Sequence, residues 1–209
     1  MSFVIFDTEY TSWKGCLENG WRGNQKKEVV QISALRVSEN LEVMDEFSAL
    51  CQPAVNPVLS EYFTNLTGIT NEQLEKQGML FAKVYKKFEE FAGTDVCYSH
   101  GWGSDYFNKS DGEILEENIC LYKLTKTKEL IYRNVAPVFK QLYLENGIIV
   151  KSQSSGQIAG ILGLEENLKH LGLNPHNALY DVYSIFEGLK YFYPKSVELL
   201  EKFQDNREK

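Results

Sequence analysis

The sequence predicts an α/β fold, a mixed sheet of about five strands with helices on both faces, on three observations. The chain opens on a short, wholly apolar run, Phe3 to Phe6, the pattern of a strand buried on both faces. Two β-branched runs joined by a turn then read as an antiparallel pair. From there helical and strand patterns alternate to the end of the chain.

Taken in order, the first strand gives way to a polar loop, "TSWKGCLENGWRGNQKKE", rich in Gly and Lys and carrying Trp13 and Trp21. "VVQISALRVSENLEVMDEFSALC" is the hairpin, turning at Glu39-Asn40, and "QPAVNP" is an extended connection. Ser60 caps a short helix, "EYFTNL", that stops at Gly68, and Thr70 caps another from Asn71 to Lys76. In "MLFAKVYKKFEEFAG", Leu80, Val84, Phe88 and Phe91 recur at helical spacing up to Gly93. "DVCYSH" is a buried strand, followed by a loop and a helix for which Ser110 and Glu113 offer a capping box. "ELIYR" is a further strand and "VAPVFKQLYLENG" a further helix. A long helix runs from about Pro175 to Tyr193, with Asn174 as N-cap and Pro175 in its first turn.

A chain of 209 residues, 43% hydrophobic and without a Pro/Gly linker, predicts one domain over 1–209, with its core at about 3–193 and a helical tail. No apolar run reaches membrane-spanning length and no signal segment opens the chain, which predicts a cytoplasmic protein. Cys16, Cys51, Cys97 and Cys120 are dispersed and read as free, mostly buried thiols. His100, His170 and His176 are not spaced to complete a zinc site with them. A net charge of −7 argues against a protein that coats nucleic acid, but not against an enzyme that grips a few nucleotides through metal ions.

Three acidic features carry the chemistry. Side chains alternate along a strand, so Asp7 and Glu9 point to one side where the apolar run ends. Like charges there repel and lose hydration, although such a pair also occurs where a strand simply ends in solvent. In "HNALYDVYSIFEGL", Ala178, Val182, Ile185 and Leu189 form an apolar stripe with Asp181 on its edge. An aspartate there is costly unless paired or bound to a cation. His176 lies five residues earlier, where a histidine also serves as a structural or solvated residue. Asp105 follows a predicted buried strand and by itself reads as a helix N-terminal aspartate. Together these acids form a hard-oxygen site suited to Mg²⁺ or Mn²⁺, and phosphodiester hydrolysis is the reaction they point to.

These residues resemble the signature of the DEDD superfamily of 3′–5′ exonucleases, histidine-containing (DEDDh) branch. The strand-borne DxE is "FDTEYT", the helix-start aspartate after a central strand is Asp105, and the HxxxxD motif runs from His176 to Asp181. "NPVLSEYFTNLTGIT" is most similar to the group of the histone-mRNA 3′ exonuclease and KapD-type proteins. The similarity spans about Phe3 to Phe192, with all motifs in order. Tyr180 and Val182 around Asp181 depart from the frequent pattern, and the loop from Thr11 to Lys27 is longer than in the simplest relatives.

The resemblance implies a ribonuclease-H-like fold and a metal-dependent 3′–5′ exonuclease on single-stranded RNA or DNA, RNA favoured, releasing nucleoside 5′-monophosphates. It implies that Asp7, Glu9, Asp105 and Asp181 hold two Mg²⁺ or Mn²⁺ ions, typically about 3.5–4 Å apart, with His176 as general base. It also places Thr8, Tyr10 and Thr11 near the 3′-terminal nucleotide. Trp13 and Trp21, interleaved with Lys14, Arg22, Lys26 and Lys27, either stack bases and meet phosphates or pack the loop down. A dinucleotide or small-substrate phosphodiesterase, and a non-catalytic nucleic-acid-binding module on the same fold, are the competing readings.

Overall fold

The computed structural model describes residues 2–101, 110–151 and 153–205. Its strands are β1 (Ser2–Tyr10), β2 (Val29–Ser38), β3 (Val43–Gln52), β4 (Met79–Leu80), β5 (Val96–Ser99) and β6 (Ile131–Asn134), in the sheet order β4-β3-β2-β1-β5-β6. β1–β2 and β2–β3 are antiparallel, whereas β1–β5, β5–β6 and β3–β4 are parallel. The sheet is therefore mixed, as expected, and six-stranded rather than five. The extra strand, β4, is two residues long, too short for a period of two to register.

The short helices α1 (Cys16–Asn19), α7 (Ile158–Leu162) and α8 (Glu165–Leu168) lie in the connections, and helix caps follow the sequence closely in the first half. Ser60 accepts the Phe63 N–H at 3.0 Å to start α2 (Glu61–Thr67), which ends at Gly68 with φ 74°. Thr70 and Gln73 form a reciprocal capping box on α3 (Asn71–Gln77). α4 (Phe81–Ala92) buries Val84 and Phe88 and ends at Gly93. Later, two expectations fail. Ser110 makes no cap bond and takes φ 49°, and α5 (Asp111–Leu121) begins immediately after it. The long helix, α9 (Ala178–Tyr191), starts at Asn177 rather than Asn174, and α10 (Lys195–Asp205) follows it. Asn177 wins the cap because its side chain accepts the Leu179 N–H at 3.2 Å.

β1 is buried on both faces, and its two sets of side chains serve two cores. Phe3 and Ile5 pack with Val182, Ile185 and Leu189 of α9 and with Phe139 of α6 (Ala136–Glu145). Val4 and Phe6 pack with Val84 and Phe88 of α4 and Leu115 of α5. That arrangement sandwiches the sheet between helical layers, and α5 and α9 begin at the same end of it. Cys16, Cys51 and Cys97 are buried and Cys120 is exposed, all four free.

Candidate active site

Where β1 leaves the core its pleat continues, so Asp7 and Glu9 face α9 while Thr8 and Tyr10 face α4 and α5. The start of α9 is tied to this place by Gln31 on β2, the residue paired with Glu9 across the ladder. Gln31 accepts the Ala178 N–H at 3.0 Å and donates to Asn177 Oδ1 at 3.3 Å. The helix start is thereby satisfied by a sheet side chain, and Asp181, one turn in, turns towards the strand acids. One carboxylate oxygen each from Asp7, Glu9 and Asp181 lie within 4.8 Å of one another.

A fourth carboxylate arrives from the opposite face. Asp111, the first residue of α5, accepts a hydrogen bond from the Thr8 hydroxyl at 2.7 Å and donates its N–H to Ser99 Oγ at the end of β5. Gly112 permits that approach: a Cβ there would lie 2.5 Å from the Tyr132 ring of β6. Asn118, on the same helix, accepts the Val29 N–H and donates to the Lys27 carbonyl, fixing α5 to the entry of β2.

The four acids share a cavity of about 360 Å³ with His100 and His176. Burial, then repulsion from Asp111, Asp181 and Glu9, holds the Asp7 carboxyl well above the usual carboxylate range. Burial and the charges of Asp181 and Asp111 do the same to Glu9. Burial pushes Asp111 and Asp181 up to about 6, against the hydrogen bonds that each accepts. Among the described residues no lysine or arginine forms an ion pair with any of them. The site is thus a pocket of hard oxygen donors with no ion-paired lysine or arginine among the described residues, a fit to a hard divalent cation.

His176 lies in the turn before α9, not in its first turn, with φ 69°, and its N–H donates to Asp181 Oδ1 at 3.1 Å. Burial lowers its pKa below the ordinary 6.5. His100 is pushed down to about 4 by burial, bonds Gln153 at 3.0 Å and packs near Phe139.

Of the remaining candidates, Asp105 lies outside the described residues. Thr8 and Tyr10 line the cavity, but Thr11 and Trp13 do not. The Thr11 hydroxyl is spent on the loop, donating to the Lys26 carbonyl and accepting the Glu28 N–H. Trp21 donates to the Thr11 carbonyl, approaches the Tyr10 ring at 6.0 Å and carries Lys27 Nζ 5.0 Å from its own ring. Residues that the sequence did not single out are Asp111, Gln31 and Ser155. For Asp111 a signal existed, an aspartate before Gly112 and four residues ahead of Leu115. For Gln31 and Ser155 there was none.

The exonuclease family model of the RNase T type matches residues 4–110. Over 73 residues the chain is 34% identical to ERI1 exoribonuclease 2 of Xenopus laevis, a match covering 34% of this chain and 10% of that protein. Among solved structures, the nuclease domain of 3′hExo, a DEDDh family member bound to rAMP, superposes with a TM-score of 0.61 at 21% identity, over 96% of this chain and 92% of that one. Cell-death related nuclease 4 gives 0.66 at 17% identity, over 91% and 62%. The E. coli ExoI–ssDNA complex gives 0.69 at 16% identity, over 96% and 43%. Strand acids, helix acids and histidine therefore stand on a known nuclease fold, and the chain belongs to the RNase T exonuclease family.

Proposed function

We propose that this chain is a metal-dependent 3′–5′ exonuclease that shortens single-stranded nucleic acid, RNA in preference to DNA, to nucleoside 5′-monophosphates. The observation that carries the reading is the convergence of Asp7, Glu9 and Asp181 within 4.8 Å, with Asp111 bonded to Thr8 beside them and no cationic side chain paired to any of the four among the described residues. Asp7, Glu9 and Asp181, with Asp111, would hold two Mg²⁺ or Mn²⁺ ions. Such ions, when bound, supply Lewis-acid stabilisation of the charge that develops on the phosphate and the leaving oxygen.

We take Asp111 as the acid that the resemblance sought in Asp105, because it starts the helix after β5 and lines the cavity. His176, kept neutral by burial, would take the proton of the attacking water. Thr8 and Tyr10 would flank the terminal nucleotide, while Thr11 and Trp13 act through the loop they belong to. RNA is favoured by the likeness to an exoribonuclease and to a 3′-exonuclease that recognises the 3′ end of a histone mRNA stem-loop, although ExoI is seen with DNA.

The test uses 5′-labelled RNA and DNA of one sequence, and dinucleotides, with Mg²⁺, Mn²⁺ or EDTA. A metal-dependent ladder from the 3′ end that Asp7→Ala abolishes supports the reading. Cleavage of dinucleotides alone moves it to a small-substrate phosphodiesterase, and no cleavage with metal still bound moves it to a binding module. A reducing, cytoplasmic location fits the four free cysteines. Among the described residues no helix is long and apolar enough to cross a membrane.

A further inference from the structure

We propose that Ser155 is the positioning residue of the carboxylate site, its hydroxyl holding Asp181 so that this carboxylate faces Asp7 and Glu9 across one cation position. The proposal deepens the metal-dependent reading above and rests on it.

Ser155 sits in a single 3₁₀ turn, Ser155–Gln157, packed on α9. It is 7% exposed, and its hydroxyl donates at 2.8 Å to Oδ2 of Asp181, one of the three acids whose carboxylate oxygens gather within 4.8 Å. The His176 backbone N–H adds a second donor, to Asp181 Oδ1 at 3.1 Å. The approach tolerates no side chain, since a Cβ on Gly156 would stand 2.4 Å from Asp181 Oδ1 and 3.0 Å from the Pro175 ring.

The turn itself cannot drift from α9. Ser184, fully buried and three residues beyond Asp181, donates to the Ser155 carbonyl at 2.7 Å and accepts the Ala159 N–H at 3.0 Å. One serine thus locks the backbone of the other to the helix that carries the acid.

The chemistry of the group matters as much as its place. Two buried carboxylates need a donor to stay close, and a lysine or arginine would supply one while neutralising the charge that attracts a cation. A hydroxyl donates without adding charge. It orients Oδ2 and leaves the pocket anionic, which is how partners of ligating groups raise metal affinity, by about 10–100-fold where measured.

The experiment titrates Mg²⁺ by calorimetry into wild type, Ser155→Ala and Ser155→Cys, all without substrate, with thermal unfolding in EDTA run alongside. We expect about tenfold or weaker Mg²⁺ binding in Ser155→Ala and an unfolding midpoint in EDTA close to wild type. Ser155→Cys keeps the volume but offers only a weak S–H donor and a sulfur that Mg²⁺ does not favour; it should also bind weakly, and it carries the test if the alanine chain fails to fold. Wild-type affinity in either folded variant overturns the proposal, as does a lower midpoint with unchanged affinity, the mark of a purely structural contact. Failure of wild type to bind Mg²⁺ overturns the metal-dependent reading itself.

Discussion

Thr8 donates to Asp111 at 2.7 Å across the end of the sheet, joining a residue on one face of β1 to the first residue of a helix that starts 103 positions later. Its neighbours Asp7 and Glu9 point to the other face, so this bond closes the ring of acids around the strand end. Its partner is the acid to mutate first. Asp111→Asn should lower kcat by at least 10²-fold, with thermal stability in EDTA unchanged or raised, because a buried charge is removed. Comparison with Asp105→Asn decides which aspartate serves: a drop confined to Asp105→Asn would remove Asp111 from the assignment.

Asp111 and Asp181 ionise near 3.8 when unfolded and at about 6 when folded. Between those values the folded chain binds more protons, so metal-free stability falls as pH rises through about 6. Chemical denaturation in EDTA should give a lower unfolding free energy at pH 8 than at pH 5. Added Mg²⁺ should restore more at pH 8, where the acids are ionised. Equal stability at both pH values would contradict the buried, unneutralised site.

His176 must be neutral to accept a proton, and burial lowers its pKa. With metal saturating and chemistry limiting, the acid limb of kcat should fall below the ordinary imidazole value of about 6.5. His176→Ala should remove that limb and cost about 10²–10⁴-fold in kcat, general-base catalysis being worth that much. A limb that moves with metal concentration reports the carboxylates instead.

Gln31 holds the start of α9 to the sheet by two hydrogen bonds. Gln31→Leu, similar in volume, leaves the Ala178 N–H without its partner and should destabilise by about 1–3 kcal/mol. Mg²⁺ affinity should weaken in the same variant, read by calorimetry, since Asp181 rides on that helix. Unchanged affinity would show that the turn at Ser155 positions Asp181 alone.

Lys14, Arg22 and Lys26 are exposed on a loop whose half-buried Trp21 reaches Tyr10 in the cavity wall. If that loop meets phosphates upstream of the scissile bond, Arg22→Glu with Lys26→Glu should raise KM for a ten-nucleotide strand several-fold and leave dinucleotide hydrolysis unchanged. The salt slope of binding should shrink by about 0.7 per lost phosphate contact. An unchanged slope would assign the loop to packing, a role its hydrogen bonds already show.

What was legible locally proved so. Thr70 with Gln73, and Ser60 before Glu61, are caps made within four residues, and each forms as written. Ser110 looked like the same device and is not, because Asp111 turns its N–H to Ser99 and its carboxylate to Thr8. Asn174 lost the cap of α9 to Asn177 for a similar reason, since Gln31 bonds both Asn177 and Ala178 from a neighbouring strand.

The sequence by itself determined the α/β class, the hairpin, the apolar stripe of α9 and the choice of Asp7, Glu9, His176 and Asp181 as candidates, which the fold brings to one cavity. Those follow from periodicity, short-range capping and motif spacing, which act over a few residues. Only the tertiary structure decided that Asp111 lines the same cavity, that Thr11 turns into its loop and that Ser155 bonds the Asp181 carboxylate. Each depends on a contact between segments separated by about fifteen to a hundred residues. Such contacts form only because packing of the two cores brings the ends of β1, β5, α5 and α9 to one place, and no local pattern encodes that meeting.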